Sequence, residues 1–364
     1  MFAEFASNVA HNLFKPLLLF FYLGFAIPLL KVPFEFPKQI YQGLTLYLLV
    51  AIGWHGGEEL ASLSAGELSQ AVGFMGVGFV TNLCIGLLAH FILSRFTKLR
   101  KIDAAAIAGY YGSDSAGTFV TALGVLTAAN IAFSAYMPVM LAVMEIPGCL
   151  VALLLISKLR QKGMDARGNM PGERGYTSPK GDGVHKSIFD PEVLRDVFLN
   201  PGLYLLLGGI LVGFISRLQG PGVTKADDLL FVDLFQGILC LFLLEMGMTA
   251  ARQLRDIKSG GSRLVLFGIL APNLFASIGM MAAHGYAFAI GVQFPLGTYV
   301  LFAVLCGAAS YIAVPAIQRI AFPEASPTLP LAASLGLTFS YNVTIGIPLY
   351  ISIARMITES MPVT

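Results

Sequence analysis

Asp114 stands in the run GYYGSDSAGT (109–118), with Ser113, Ser115 and Thr118 beside it and long apolar stretches on either side. Carboxylate and hydroxyl oxygens at this spacing form a hard ligand set suited to a cation such as Na+, whereas sulfur or imidazole would suit a softer metal. An aspartate at the centre of a membrane helix costs about 2.5–3.5 kcal/mol on insertion scales, so a carboxylate kept there argues for a role. Runs of small residues also let helices pack closely, and that packing reading stands beside the binding one.

Other polar groups within apolar runs meet the same test. Glu145 precedes Ile146-Pro147, and a proline frees a backbone carbonyl one turn earlier, so Glu145 suits the lining of the same site. Asn342 and Thr344, ahead of Ile347-Pro348, are its uncharged counterparts. Glu245, near one end of an apolar run, fits a site, a gate or a subunit contact equally well. His90 and His284 lie near the ends of their runs and read as interfacial histidines before proton carriers. Glu58, Glu59 and Glu67 read as a solvated face, with an outer vestibule for cations as the alternative. The four cysteines, Cys84, Cys149, Cys240 and Cys306, all fall in apolar runs, which suits packed thiols and gives neither a disulfide framework nor metal-ligand spacing. No nucleophile–base pair or ligand cluster stands within the apolar runs, so no enzyme is expected, and no cofactor beyond a coupling ion.

Positioning these groups requires membrane helices. The 364 residues are 56% hydrophobic and 12% charged, about half the charge of a soluble domain, and mean hydropathy is +0.75. The net charge of +2 comes without a basic tract that would grip phosphates, which excludes a nucleic-acid binder. Apolar runs between charged or Pro/Gly breaks give ten expected spans: 13–31, 39–57, 69–94, 103–127, 134–157, 199–217, 230–251, 263–290, 297–320 and 329–356. No cleaved signal peptide is expected. Loops on one face carry nineteen Lys and Arg against four on the other, which places the first face in the cytoplasm and both termini outside. The hydrophilic segment 158–198 reads as a flexible cytoplasmic linker between a first unit, 1–157, and a second, 199–364.

Five spans per unit means that the second enters the membrane from the opposite face, so any repeat is inverted. LVAIGWHGGEEL (49–60) aligns with LFLLEMGMTAARQL (241–254) on Gly53 and Gly247. His90 and His284 each follow by 37 residues, Gly112 follows Gly53 by 59 and Gly307 follows Gly247 by 60. EIPG (145–148) then mirrors GIPL (346–349). The counterpart of the Asp114 run is CGAASYIAVPA (306–316) in the ninth span. Two broken helices in equivalent positions are the sequence pointer to a midplane binding site, with half-helix N-termini facing an anion and oxygens holding a cation.

KIDAAAIAGYYGSDSAGTFVTAL (101–123), AYMPVMLAVMEIPGCLVA (135–152), GMTAARQL (247–254), APNLFASIGMMAAHGYA (271–287) and RIAFPEASPTLPLAASLGLT (319–338) resemble the sodium-dependent bicarbonate transporter family known from cyanobacteria. The resemblance covers nearly the whole chain outside the mid-loop. It implies an all-α polytopic fold of two inverted five-helix repeats, a core and a gate domain, and a site where the fourth and ninth spans cross. It also implies a homotrimer, elevator-type movement, a bacterial inner-membrane location and a P-II-like cytoplasmic regulator. The departures fall on the site. The family's first crossing span has a Ser-Gly-Ser-Thr-like cluster; here Asp114 intrudes and the cluster is Ser115-Ala116-Gly117-Thr118. The family's ninth span has a serine run and then an aspartate serving the sodium ion, where this chain has Ala308-Ala309-Ser310 and Tyr311.

The expected function is Na+-coupled symport of a small anion, bicarbonate first. Ser113, Asp114 and Ser310 would hold Na+. Ser115, Gly117, Thr118, Ala309, Ser310, Tyr311 and Ala313 would line the anion pocket, supported by Glu145, Asn342 and Thr344. The alternatives are a cation/proton antiporter or organic-anion:Na+ symporter of similar architecture, and a membrane sensor that binds a cytoplasmic regulatory protein.

Overall fold

A computed structural model describes residues 16–178, 201–254 and 260–363. Residues 13–15 of the first expected span, the linker from 179 and the basic residues Arg255 and Lys258 lie outside the described residues.

The described chain is helical, with no strand among its described residues. In the first unit run α1 (Pro16–Leu29), α2 (Lys38–Leu60), α3 (Ala65–Phe96), α4 (Lys101–Tyr111), α5 (Ala116–Ala128) and α6 (Met137–Gln161). The second holds α7 (Pro201–Leu218), α8 (Pro221–Asp228), α9 (Phe235–Gln253), α10 (Gly261–Ile290), α11 (Leu296–Gly307), α12 (Ala313–Ala321), α13 (Thr328–Leu331) and α14 (Ile347–Ser360). A wide turn (Leu229–Asp233) joins α8 to α9, and two more (Ala332–Phe339 and Asn342–Gly346) join α13 to α14. Five continuous helical stretches are long and apolar enough to cross a membrane: Ala65–Phe96, Met137–Gln161, Gly222–Gln253, Gly261–Ile290 and Thr328–Ser360. The expected fourth and ninth spans fall short of that length because each is split, the fourth at 112–115 and the ninth at 308–312.

Two helix pairs form one side of the molecule, α1 on α9 and α2 on α7. Lipid is as apolar as leucine, so close van der Waals packing rather than burial from water must hold such pairs. Glycine permits it. A Cβ on Gly53 would come within 2.9 Å of the backbone of Gly209 and Ile210, and one on Gly247 within 2.7 Å of Phe25 N. The two glycines aligned from sequence therefore do the same work in the two pairs.

The remaining long helices, α3, α6, α10 and α14, surround the broken ones. Ser64 and Glu67 start α3 with a capping box, Ser64 N donating to Glu67 Oε2 at 2.8 Å. Glu67 thus caps the helix while staying exposed at its start, in keeping with a solvated face. Phe74 of α3 stacks on Phe302 of α11 at 4.6 Å. All four cysteines are free thiols.

The first part of segment 158–198 has a defined, hydrogen-bonded path. The helix α6 runs through Gln161, and Arg160 then pairs with Glu324 at 2.7 Å. Asp165, buried in the following loop, accepts from the backbone of Arg167 (2.9 Å), Asn169 (2.8 Å) and Thr177 (3.0 Å). The loop docks through Glu173 Oε1, which accepts from Lys101 N at 2.9 Å, and through Arg100, which donates to Arg167 O at 2.8 Å while paired with Asp103. Within the described part of the segment, the carboxylates of Asp165 and Glu173 organise the turns.

Candidate functional site

Each half of the fourth span ends at the break for a local reason. Tyr111 closes α4, with Gly112 N still donating to Ala108 O at 2.9 Å. Ser115 leaves helical geometry at φ −135° and caps α5, accepting from Thr118 N at 3.2 Å and from Thr118 Oγ1 at 2.9 Å. Losing such a cap costs about 1 kcal/mol. In the ninth span α11 ends at Gly307, and Ser310 Oγ accepts from Val314 N at 3.4 Å in the first turn of α12.

The two breaks meet. Ser310 N donates to Tyr110 O at 2.8 Å, which joins the end of α4 to the start of α12. The N-termini of α5 and α12 therefore both start at this junction, where helix dipoles and free amides favour an anion.

Neighbouring helices donate to carbonyls at the breaks and beside the helix prolines. Ser113 Oγ donates to Glu145 O at 2.7 Å, and Asn82 Nδ2 donates to Met144 O at 3.0 Å, both in the turn before Pro147. Asn342 Nδ2 donates to Gly307 O at 2.9 Å and its Oδ1 accepts from Tyr350 Oη at 2.8 Å. Pro272 in α10 provides no N–H for the carbonyl four residues earlier. Thr338 Oγ1 donates to that carbonyl, Gly268 O, at 2.9 Å, and in turn accepts from Tyr111 Oη at 2.6 Å. Backbone packing is tight: a Cβ on Gly148 would lie 2.6 Å from the carbonyl carbon of Gly112.

Asp114 stands apart from these closed networks. It is 1% exposed, and neither carboxylate oxygen has a hydrogen-bond partner among the described residues. Buried polar groups are paired with few exceptions, and an unpaired buried carboxylate is among the costliest of them. Glu145 is within electrostatic reach, as are Cys149 and Cys306. The Asn82 Oδ1 atom is likewise buried without a partner. A cation such as Na+ fits the Asp114 oxygens and the lone pairs left on Ser113; Ser115 already accepts twice and is the poorer ligand.

Tyr311 reaches across the junction. Its ring meets Phe339 edge-on at 5.6 Å, and a Cβ on Gly117 would lie 3.1 Å from its Cζ. The hydroxyl is buried over the first turn of α5, against the Ser115 side chain and the Gly117 backbone. Of the other expected site residues, Gly117, Thr118, Ala309 and Ala313 are buried in the two breaks or the turns that follow. Glu145 is half-buried, its carbonyl held by Ser113. Asn342 supports the second break through Gly307, whereas Thr344 donates to Ser340 O of its own helix at 2.7 Å. Glu245 is buried in α9, bonded to Thr249 through Oε1, with Oε2 unpartnered among the described residues. Asn82 and Thr338 were missed in the sequence; the one available signal was a polar side chain inside an apolar run.

Two interrupted helices meeting at a buried carboxylate, within a bundle of long apolar helices, define a multi-pass helical membrane protein. The chain belongs to the Na+-dependent bicarbonate transporter superfamily, whose family profile matches residues 16–355. It is therefore a transporter and not an enzyme, as its sequence motifs implied. No curated protein matches the chain significantly.

Proposed function

We propose that this protein couples inward Na+ movement to uptake of a small anion, bicarbonate first, with Asp114 as the cation ligand. The observation that carries the reading is the Asp114 carboxylate itself, buried at the junction of two helix breaks with both oxygens unpartnered among the described residues. Bound Na+ neutralises it, and the N-termini of α5 and α12 then attract an anion beside the cation. Without Na+ the bare carboxylate repels the anion, which gives obligatory coupling a physical cause. Tyr311 stands at the position of the family's ninth-span aspartate, so the carboxylate has moved from one half of the site to the other.

The architecture that goes with this reading is ten spans in two inverted five-helix repeats. The pairs α1/α9 and α2/α7 form the gate, and the helices around the breaks form a core that moves elevator-fashion. The paired roles of Gly53 and Gly247 support the repeat. A homotrimer in the bacterial inner membrane, both termini outside and a P-II-like regulator on the cytoplasmic face complete it. One observation favours a second reading: Glu145 lies within electrostatic reach of Asp114, and such a carboxyl pair suits cation/proton exchange.

The test is uptake of labelled bicarbonate into proteoliposomes at fixed pH, with and without an inward Na+ gradient, for wild type and Asp114→Ala. Na+-driven uptake that disappears in the variant is the expected result. Uptake that survives the substitution removes Asp114 from the cation site. Proton movement driven by Na+ without any anion requirement selects the exchanger.

A further inference from the structure

A groove of about 630 Å³ opens on the outer surface between the C-terminal end of α3 and the N-terminal half of α10. Its walls include Phe96, Leu266 and Leu270, all exposed large apolar side chains, with Phe267 buried at its back. Arg95 and Arg263 line the same groove, and no carboxylate is among its described lining residues. Arg263 Nη1 donates to Phe96 O at 3.1 Å, tying the two helix ends together and leaving its other N–H groups available. The first turn of α10 carries no side-chain cap, so its free amides add to the positive potential at this end.

From this arrangement we infer that the groove binds an anionic phospholipid, headgroup phosphate on Arg95 and Arg263 and one acyl chain along Leu266 and Leu270. The chemistry decides the occupant. Two guanidiniums with no carboxylate facing them among the described residues favour an external anion, and planar N–H donors match phosphate. The apolar walls require a chain attached to that anion, which free phosphate lacks. In the orientation argued from the charged loops, this end faces the cytoplasmic leaflet, where basic residues meet anionic lipid.

The site bears on the crossing through its back wall. Phe267 meets Tyr111 edge-on at 4.8 Å, and Tyr111 is the last helical residue before the first break. An acyl chain packed on Phe267 therefore supports the residue that positions Gly112 to Asp114.

The experiment reads binding alone, so its failure is distinct from failure of the transport reading. The purified full-length chain in neutral detergent is titrated with phosphatidylglycerol or phosphatidylcholine, and bound lipid is counted by native mass spectrometry. Wild type is expected to hold phosphatidylglycerol saturably, with a preference over phosphatidylcholine of at least about tenfold per guanidinium. The double variant Arg95→Gln/Arg263→Gln loses that preference. Because Arg263 also ties helix ends, a second variant, Leu270→Trp, fills the groove with both charges in place and is expected to reduce binding of either lipid. Preference retained in the double variant overturns the proposal. So does displacement of phosphatidylglycerol by inorganic phosphate, or chain-to-chain cross-linking through Leu270→Cys, which would make the groove a subunit contact.

Discussion

Two kinds of polar residue meet at the helix breaks, and they differ in how much of their bonding is complete. Asn342 and Thr338 each donate to a carbonyl that a break or a proline has freed, and Ser113 and Asn82 donate to carbonyls in the turn before Pro147. Asp114 has both acceptors open among the described residues, which is why the ion-binding reading rests on it and not on the hydroxyls. Ser115 illustrates the distinction: its oxygen already accepts twice as the cap of α5, which leaves its O–H to donate to an anion but little lone-pair capacity for a cation. Ser115→Ala is therefore expected to lower thermal stability by about 1 kcal/mol and to leave the Na+ dependence of uptake in place, measured by unfolding in detergent beside uptake assays. Asp114 was legible in the sequence because a carboxylate in an apolar run is conspicuous by its cost. Asn82 and Thr338 were not, because their work depends on which carbonyl tertiary packing brings to them, and nothing local encodes that.

At the scale of elements, the breaks themselves were legible: glycine clusters within apolar runs placed them at Gly112 and Gly307, where α4 and α11 end. The compensation for them was not. The Tyr111–Thr338–Gly268 chain closes three polar groups from α4, the wide turn after α13 and α10. Replacing Thr338 by valine keeps the shape and leaves Gly268 O and Tyr111 Oη without Thr338. The expected loss is about 1–3 kcal/mol, read as a lower unfolding temperature. In the loop after α6, whose composition is that of a linker, Asp165 organises the described turns. Burial pushes the Asp165 carboxyl up, but hydrogen bonds from Asn169, Thr177 and Arg167 outweigh that and hold it at about 2. A carboxyl depressed in the folded state contributes stability above its unfolded value, near 3.9, and loses it as pH falls through the folded one. Amide protection across 162–178 is thus expected to hold from neutrality to about pH 4 and to fall between about pH 4 and 2. Hydrogen exchange over that range checks it, and protection lost near neutrality would refute it.

For the molecule as a whole, hydropathy and loop charge carried the reading of a multi-pass helical protein, and five stretches reach full membrane length. The helix Leu296–Gly307 falls below it, because a broken span is stabilised by its neighbours rather than by its own length. The aligned glycines, Gly53 and Gly247, suggested a repeat from sequence, and each sits at a close helix contact, α2 on α7 and α1 on α9. Pairing partners are not encoded in the period of apolar residues, so the cross-over between units became visible only in three dimensions. A ligand that binds only the folded bundle stabilises all of it, by about 2.7 kcal/mol at a hundredfold excess over its dissociation constant. That makes a global observable the most direct probe of a single carboxylate. The decisive measurement is the unfolding temperature of the purified chain in detergent as Na+ replaces K+ at constant ionic strength, for wild type and Asp114→Asn. Stabilisation by Na+ in wild type that vanishes in Asp114→Asn is the expected result. Equal stabilisation of both proteins, or none in either, would contradict the assignment of Asp114 as the cation ligand.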